Sequence, residues 1–190
     1  MFIAPSWDQI YVKSIVLATA IRKRERVPID YIVGVSRGGL VLARIISDLL
    51  DIQDISVIKC EYYSGISETK NKPIIKGKLH GNISGKNVLA IDDVADTGGS
   101  ISVIKQYLLS KNPRSLRFAT IYLKPTSNEI PDYFVSKTSA WIIFPWELYE
   151  TLKLFSRRRI KAREANTHIP TKYARLLIKM DPKLSGRNGG

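Results

Sequence analysis

The sequence feature that most constrains this chain is an apolar run that ends in a cluster of acids and glycines. Residues 88–91 have strand character, and Asp92 and Asp93 follow them directly. A third acid, Asp96, leads into a Thr-Gly-Gly-Ser turn, after which apolar residues recur at helical spacing. The pattern predicts a strand, a loop and a helix, with the charged loop at the carboxyl end of the strand. Open α/β sheets bind their ligands at that edge.

This loop combines two opposite chemical preferences. Carboxylates bind hydroxyl groups or a metal ion, whereas glycine N–H groups and a helix N-terminus together bind an anion. A ribose 5-phosphate carries both kinds of group, so the loop is a candidate site for such a sugar. No Gly-Lys-Ser/Thr follows the glycines, which excludes a Walker loop.

Residues 88–100 resemble, without interruption, the 5-phosphoribosyl-1-pyrophosphate (PRPP) signature of type I phosphoribosyltransferases. The resemblance implies an α/β fold with a mostly parallel central sheet flanked by helices. It also implies that one set of residues binds the ribose and its 5-phosphate: Asp92, Asp93, Ala95, Asp96, Thr97, Gly98, Gly99 and Ser100.

A second strand–loop–helix unit lies about fifty residues upstream. Residues 31–35 predict a buried strand, residues 40–50 predict a helix, and Ser36, Arg37, Gly38 and Gly39 join them. A backbone nest with a guanidinium suits a group such as pyrophosphate, although by itself this motif is compatible with any tight turn. The family resemblance implies that these four residues bind pyrophosphate and that a non-proline cis peptide lies near Ser36–Arg37.

The N-terminal segment predicts a packing helix. Ser6 and Gln9 form a capping-box pattern, and Val27-Pro28 ends the helix after a charged exit. One largely apolar stripe runs along it, made of Trp7, Ile10, Ser14, Leu17, Ala18 and Ile21.

Residues 61–81 show no sustained periodicity and contain three glycines. A loop of this length inside a compact domain is usually functional or disordered. The family resemblance implies a flexible hood that closes over the substrates, and a mobile surface hairpin is the alternative. Ile74-Ile75 predicts that part of the segment pairs as a short strand.

The predicted base-binding residues come later in the chain. Lys124 follows a strand predicted at 116–123, and an ammonium there suits a carbonyl oxygen of a base. The segment that begins at Trp141 resembles one in bacterial xanthine-guanine phosphoribosyltransferases. This resemblance implies that Lys124 recognises the purine 6-oxygen, Trp141 stacks on the ring and Ile142 contacts its edge through the backbone. Ile143 and Phe144 stand where those enzymes carry polar residues, which leaves open the group accepted at purine position 2.

The resemblance implies a purine-salvage activity: transfer of 5-phosphoribosyl from PRPP to N9 of hypoxanthine, guanine or xanthine, with release of pyrophosphate. Asp96 would be the catalytic residue, and Mg²⁺ would be the cofactor, held by Asp93 alone or with Asp92. Two alternatives stay open, a phosphoribosyltransferase for another base (adenine or a pyrimidine) and a PRPP-sensing regulator that binds nucleic acid.

The family resemblance covers roughly residues 6–147, which implies a phosphoribosyltransferase domain at 1–150 followed by a basic helical C-terminal extension at 151–190. The net charge is +13, and the extension holds 11 Lys/Arg against 2 Asp/Glu. We expect the extension to be an arm that packs on a subunit neighbour, with RNA or nucleotide binding as the second option. The single cysteine, Cys60, excludes an internal disulfide and favours a cytoplasmic protein. No apolar run approaches membrane-span length, and the family resemblance implies a homo-oligomer, a dimer or a tetramer.

Overall fold

The computed structural model describes residues 1–63, 72–157 and 171–185. Strands and helices alternate along most of the chain, and a short 3₁₀ helix follows at Pro182–Ser185. The strands are β1 (Phe2–Ile3), β2 (Tyr31–Ser36), β3 (Ile55–Tyr63), β4 (Lys72–Lys76), β5 (Asn87–Ile91), β6 (Val94–Ala95), β7 (Ser115–Leu123), β8 (Tyr133–Lys137) and β9 (Trp141–Ile142). The helices are α1 (Trp7–Arg24), α2 (Gly39–Leu50), α3 (Gly99–Leu109), α4 (Leu148–Arg157) and α5 (Thr171–Met180).

A seven-stranded sheet forms the centre of the larger of two compact units, Tyr11–Ser139. Its order is β4-β3-β2-β5-β7-β6, and β8 also pairs with β7. Every pairing is parallel except that of β3 with β4. All five residues of β5 are buried, because a central parallel strand is covered on both faces. The predicted mostly parallel α/β fold is confirmed.

Helices pack on this sheet through small and apolar residues. The α2 helix lies against β2, where a Cβ added to Gly34 would be 2.9 Å from the Cβ of Ala43. The α3 helix contributes Ile101, Ile104 and Leu108 to the core cluster that contains residues of β2, β5 and β7. These contacts hold the start of both helices at the carboxyl edge of the sheet.

The smaller unit consists of residues 1–10 and the described part of 140–190. In it, β1 and β9 form a parallel pair, with Phe2 opposite Trp141 and Ile3 opposite Ile142. Ile143 and Phe155 form its buried core. The division into units falls inside α1, which is one continuous helix. The predicted capping box begins that helix, since Ser6 N donates to Gln9 Oε1 at 2.9 Å and Gln9 N donates to Ser6 Oγ at 3.2 Å.

The segment predicted as a hood is partly regular structure. Residues 61–63 continue β3, and residues 72–76 form β4, which pairs antiparallel with β3 and confirms the short strand predicted at Ile74-Ile75. Residues 64–71 lie outside the described residues, so the hood itself stays a prediction. Among the described helices, none is both long enough and apolar enough to cross a membrane.

Candidate functional site

The register of three parallel strands brings the predicted loops to one edge of the sheet. Gly34 of β2 lies opposite Ile91 of β5, and Ile91 lies opposite Ala119 of β7. The residues that follow these strands therefore meet at the same edge, as the sequence predicts. Backbone hydrogen bonds fix the acidic pair there, since Asp92 N donates to the carbonyl of Ala119 at 3.1 Å and Asp93 accepts from β7.

The two neighbouring acids have different environments. Asp92 is half-buried and lines a pocket of about 190 Å³, and its Oδ1 accepts from the backbone N–H of Asp93 at 2.9 Å. Asp93 is only 7% exposed, and its carboxylate faces the backbone of Gly38. Asp92 is thus open to a ligand in the pocket, while Asp93 faces the neighbouring loop.

The predicted pyrophosphate loop packs directly on this acidic pair. A Cβ at Gly38 would overlap the Asp93 carboxylate, and a Cβ at Gly39 would overlap the Ile91 carbonyl oxygen and lie 2.9 Å from Asp92 Cα. Only glycine fits at both positions without a shift of the chain. The Ser36–Arg37 peptide is cis, which confirms the bond implied by the family resemblance. The structure therefore brings together the two loops that the sequence treats separately.

The second half of the acidic loop forms the rest of the pocket. Its walls are Asp92, Val94, Ala95, Asp96, Thr97, Gly98, Ser100 and Ile101. Gly98 has φ +86°, a conformation that favours glycine, and a Cβ there would lie 2.6 Å from the backbone N of Glu129. Glycine is thus needed at 98 for its φ and for the close approach of another chain segment.

The walls of the pocket combine carboxylates with the start of a helix. The α3 helix begins beside it, has Gly98 at its N-cap and carries no acidic residue in its first turn. The partial positive charge of the helix N-terminus is therefore not offset by a carboxylate of that turn. Asp92 and Asp96 supply negative charge among the same walls. The arrangement suits a ligand with an anionic group at one end and hydroxyl donors at the other.

A segment after β7 braces the loop. Lys124 N donates to the carbonyl of Ala95 at 2.9 Å, Thr126 Oγ1 donates to the carbonyl of Asp96 at 3.1 Å, and Asn128 N donates to the carbonyl of Thr97 at 3.0 Å. Lys124 is half-buried, and Asp96 is exposed. The backbone of Lys124, the residue predicted to recognise the base, thus hydrogen-bonds to the loop at residues 95–97.

Cys60 on β3 lies under the same loop. Burial raises the pKa of the Cys60 thiol, a hydrogen bond with Ser100 lowers it, and the charge of Asp92 raises it further. Cys60 also packs against the apolar core. Cys60 is therefore a partly buried residue with a neutral thiol.

Trp141 and Ile142 belong to the smaller unit. The Trp141 indole is 59% exposed, and Ile142 is buried in β9. The indole ring is therefore accessible, and its stacking role stays a prediction. Trp146 is held by aromatic contacts, with ring centroids 4.8 Å from Phe144 and 5.7 Å from Trp7. Trp146 is therefore a packing residue.

The oxygen donors at the site suit a metal ion that is coordinated partly by the protein and partly by a bound substrate. No group of three or more His, Cys, Asp or Glu side chains within residues 1–63, 72–157 and 171–185 could enclose a metal ion. Asp92 and Asp93 provide oxygen donors next to the pocket. Magnesium is commonly bound by one or two carboxylates together with substrate phosphates and water, so these two residues meet its needs without a complete protein cage.

The sequence analysis did not identify a set of hydrogen-bonding residues that support the site at residues 79–80. The carbonyl of His80 accepts hydrogen bonds from the hydroxyls of Tyr31 and Ser56, and Leu79 N donates to Tyr107 Oη at 3.0 Å. These bonds fix the chain that returns from the predicted hood to the sheet and to α3. A buried tyrosine on a central strand is the signal that could have found them, because its hydroxyl needs a partner.

Comparisons with known proteins agree with this geometry. The sequence model of the phosphoribosyl transferase domain matches residues 6–151. Over 144 residues the chain is 33% identical to a xanthine-guanine phosphoribosyltransferase of Nitratidesulfovibrio vulgaris, a match that covers 75% of this chain and 82% of that protein. It is 35% identical to a protein of the same name from Desulfotalea psychrophila, with 75% and 84% covered.

A solved structure gives the same assignment. The crystal structure of purine phosphoribosyltransferase from Pyrococcus horikoshii superposes with a TM-score of 0.68 at 33% identity, and the match covers 76% of this chain and 93% of that one. Because the family model spans residues 6–151, which include the pocket, and relatives at 33–35% identity cover most of both chains, the chain belongs to the phosphoribosyltransferase family.

Proposed function

We propose that this protein is a purine-salvage phosphoribosyltransferase that transfers 5-phosphoribosyl from PRPP to N9 of a 6-oxopurine and releases pyrophosphate. The observation that carries the proposal is the pocket whose walls combine carboxylates with the start of α3. The names of the curated relatives, which are xanthine-guanine phosphoribosyltransferases, support the choice of a 6-oxopurine.

The sugar phosphate binds along the length of this pocket. The 5-phosphate accepts hydrogen bonds from the turn formed by Thr97, Gly98, Gly99 and Ser100, next to the N-terminus of α3. The ribose hydroxyls donate to Asp92, whose carboxylate lines the pocket. Ala95 lines the wall between these groups and leaves room for the sugar.

The pyrophosphate binds at the neighbouring loop. Arg37 is exposed at the tip of the loop, and its guanidinium suits a multiply charged anion. Ser36, Gly38 and Gly39 present the backbone on which the anion rests. Asp93, alone or with Asp92, would hold Mg²⁺ between the two loops. Bound Mg²⁺ would supply neutralisation of the negative charge on the departing pyrophosphate.

The chemical step requires little covalent work from the protein. The bond between ribose C1 and the pyrophosphate oxygen breaks, its electron pair leaves with pyrophosphate, and purine N9 attacks C1. The carboxylate of Asp96 accepts the proton at purine N7 as N9 becomes a nucleophile. Its exposed position among the pocket walls is compatible with this role. Holding both partners in line accounts for much of the rate acceleration.

The purine is recognised by three residues in this proposal. Lys124 donates from its ammonium group to the 6-oxygen, Trp141 stacks on the ring, and Ile142 meets the ring edge through its backbone. The half-burial of Lys124 next to the loop and the exposed face of Trp141 support these roles. An adenine carries an amino group where a 6-oxopurine carries the oxygen, so the lysine disfavours adenine.

The proposal also includes the domain organisation of the chain and its cellular compartment. The family match ends at residue 151, which supports a phosphoribosyltransferase domain at 1–150 followed by an extension at 151–190. The single cysteine, which cannot form an internal disulfide, supports a cytoplasmic location.

A panel of bases tests the function. PRPP, Mg²⁺ and the full chain are incubated with hypoxanthine, guanine, xanthine, adenine or orotate, and nucleoside monophosphate is separated and quantified. We expect product with at least one 6-oxopurine and little with adenine or orotate. Binding of PRPP without turnover of any base would instead favour the PRPP-sensing regulator. Efficient turnover of adenine or orotate alone would favour a transferase for another base.

Lys124→Ala provides a specificity test within the same panel. The variant removes the ammonium and leaves the backbone hydrogen bond to Ala95 in place. We expect the ratio of kcat/KM for hypoxanthine to that for adenine to fall about tenfold or more, since a lost hydrogen bond to a charged group weakens discrimination. An unchanged ratio would exclude Lys124 as the residue that reads position 6.

A further inference from the structure

Another cavity, separate from the candidate site, lies in the smaller unit of the chain. Its volume is about 320 Å³, and the residues that line it all belong to that unit. The walls are Ala4, Pro5, Ser6, Trp7, Asp8, Ile143, Pro145, Leu148 and Tyr173. None of these residues lines the pocket at the acidic loop. The cavity is large enough for a small molecule, since ligand sites begin at about 300 Å³.

The C-terminal extension completes this cavity. The family model ends at residue 151, and Tyr173 lies beyond it, in α5. The next residue, Ala174, packs against the core cluster of Ile143 and Phe155. This packing holds α5 on the smaller unit and places Tyr173 among the cavity walls. One wall of the cavity therefore comes from a part of the chain outside the family match.

Two aromatic side chains and one carboxylate give the cavity its chemical character. Trp7 is 46% exposed, although its ring centroid lies 5.7 Å from that of Trp146, and Tyr173 is 36% exposed. Asp8 is exposed and is the only charged residue among the walls. The faces of tryptophan and tyrosine rings attract cations. Accessible rings beside a carboxylate therefore favour a positively charged ligand.

The start of α1 does not reverse this preference. A helix N-terminus carries about half a positive charge, which by itself attracts anions. The capping box already engages donors at this end, because Gln9 N donates to Ser6 Oγ and Ser6 N donates to Gln9 Oε1. The full negative charge of Asp8 also exceeds the partial charge of the helix. The balance of charge at the cavity therefore favours a cation.

We propose that this cavity binds a small organic ammonium ion, a molecule with an amine or quaternary ammonium group and an apolar body. The ammonium group contacts the rings of Trp7 and Tyr173 and is attracted by Asp8. The apolar body contacts the aliphatic and proline walls. None of the residues assigned to PRPP or to the purine lines the cavity, so this ligand does not depend on the proposed transferase activity.

The charge of the whole chain supports a small molecule as the occupant. With a net charge of +13, the chain repels a protein segment that carries several positive charges. A molecule with a single ammonium group experiences much less of this repulsion and still gains the attraction of Asp8. A single charge and an enclosed volume of about 320 Å³ both fit a small ligand.

Titration with choline, a small quaternary ammonium ion, tests the cavity. Saturation-transfer NMR on the full chain measures the dissociation constant, and 3,3-dimethylbutan-1-ol, which has the same shape without the charge, is the matched ligand. We expect saturable binding of choline with a dissociation constant about tenfold lower than that of the alcohol, because the alcohol lacks both the cation–π contacts and the ion pair. Equal affinities, or no saturable binding of choline, would overturn the proposal.

Substitutions locate the bound choline. Asp8→Asn and Tyr173→Leu should each raise the dissociation constant about threefold, whereas Tyr173→Phe keeps the ring and should leave it unchanged. Glu150→Gln is the matched control for Asp8→Asn, because Glu150 is also an exposed acid in the first turn of a helix. Far-UV circular dichroism verifies that the variants are folded. An unchanged constant in both Asp8→Asn and Tyr173→Leu would overturn the proposal.

Two further measurements distinguish other sources of binding. The pocket at the acidic loop also contains carboxylates, so Asp92→Asn is titrated in parallel. A weaker affinity in Asp92→Asn that is absent in Asp8→Asn would place choline at that pocket and would overturn the proposal. Tighter binding of N-acetyl-lysine methylamide than of choline would assign the cavity to a protein side chain and would overturn its assignment to a small molecule.

Discussion

At the scale of single residues, two adjacent aspartates, Asp92 and Asp93, have different surroundings. Asp92 opens to the pocket, and Asp93 is buried against the backbone of Gly38. The sequence motif presents them as an equivalent pair, and only the packing of the second loop separates them.

Asp96 is the residue whose change should affect chemistry most. Asp96→Asn keeps the shape of the side chain and removes its ability to accept a proton. In the proposed reaction kcat should fall about 100-fold or more, in line with the loss of a general base, while PRPP affinity changes little. Steady-state kinetics with hypoxanthine, together with titration calorimetry of PRPP binding, separates the two effects. Equal losses in kcat and in PRPP affinity would assign Asp96 a binding role only.

Gly38 tests the contact between the two loops. In Gly38→Ala the new methyl group overlaps the Asp93 carboxylate, so the loop or the acid has to move. Overpacking of this kind costs about 1–3 kcal/mol of folding stability, and PRPP affinity should fall if both loops bind it, as proposed. Chemical denaturation and PRPP titration measure the two effects.

The matched control for Gly38 is Gly85→Ala, in the turn before β5. A Cβ there meets nothing within 4 Å, but φ is +70°. The cost in stability should be similar, about 1–2 kcal/mol, and PRPP affinity should be unchanged. If both variants bound PRPP as tightly as the wild-type chain, the loop contact would not contribute to binding.

At the scale of elements, the end of α1 is joined to β7 and β8 by one partly buried carboxylate. Glu25 Oε1 accepts from Tyr133 Oη at 2.6 Å and from Arg117 Nε at 3.1 Å. Burial raises the pKa of Tyr133 to about 12, and the hydrogen bond to Glu25 adds to the rise. The folded state thus holds the phenol proton more tightly than the unfolded chain, in which the pKa is about 10.

This network predicts a specific loss of stability in alkali. A pKa raised on folding gives a contribution that is complete below about pH 10 and is lost as the pH rises toward 12. Tyr133→Phe should lower the unfolding free energy at about pH 8 by roughly 1–2 kcal/mol and should reduce its further loss at about pH 11. Urea denaturation at both values measures this, with the exposed Tyr11→Phe as control. An identical alkaline loss in the wild-type and Tyr133→Phe chains would contradict the role of Glu25.

Most elements of this fold could be predicted from the sequence, because apolar periodicity and glycine turns determine them locally. The strand and helix around Asp92 and Gly98 and the loop at Gly38 are examples. The two-residue strand β6 could not be predicted, because it exists only through its pairing with Tyr122 and Leu123 of β7. The brace at Asn128 is likewise a contact between distant segments.

At the scale of the whole molecule, positive charge and the candidate site lie in different parts of the chain. Residues 151–190 carry most of the net charge of +13, while the pocket belongs to the unit Tyr11–Ser139. A polyanion can therefore bind in two ways, specifically at the pocket or by general attraction to the basic extension. Salt weakens the second mode much more than the first, because exposed charges are screened.

Measurement of the melting temperature with and without ligand distinguishes the two modes of polyanion binding. This prediction concerns the stability of the whole chain. Magnesium and PRPP together, at about 100 times the dissociation constant, should stabilise the fold by about 2.7 kcal/mol. In a chain of this size that raises Tm by roughly 5–10 °C. Chelation of the metal should reduce the shift, and so should Asp92→Asn, which keeps the pocket shape but loses the carboxylate. General electrostatic attraction would instead give a Tm shift that persists in Asp92→Asn and disappears in high salt. That result would show that PRPP does not bind in the pocket.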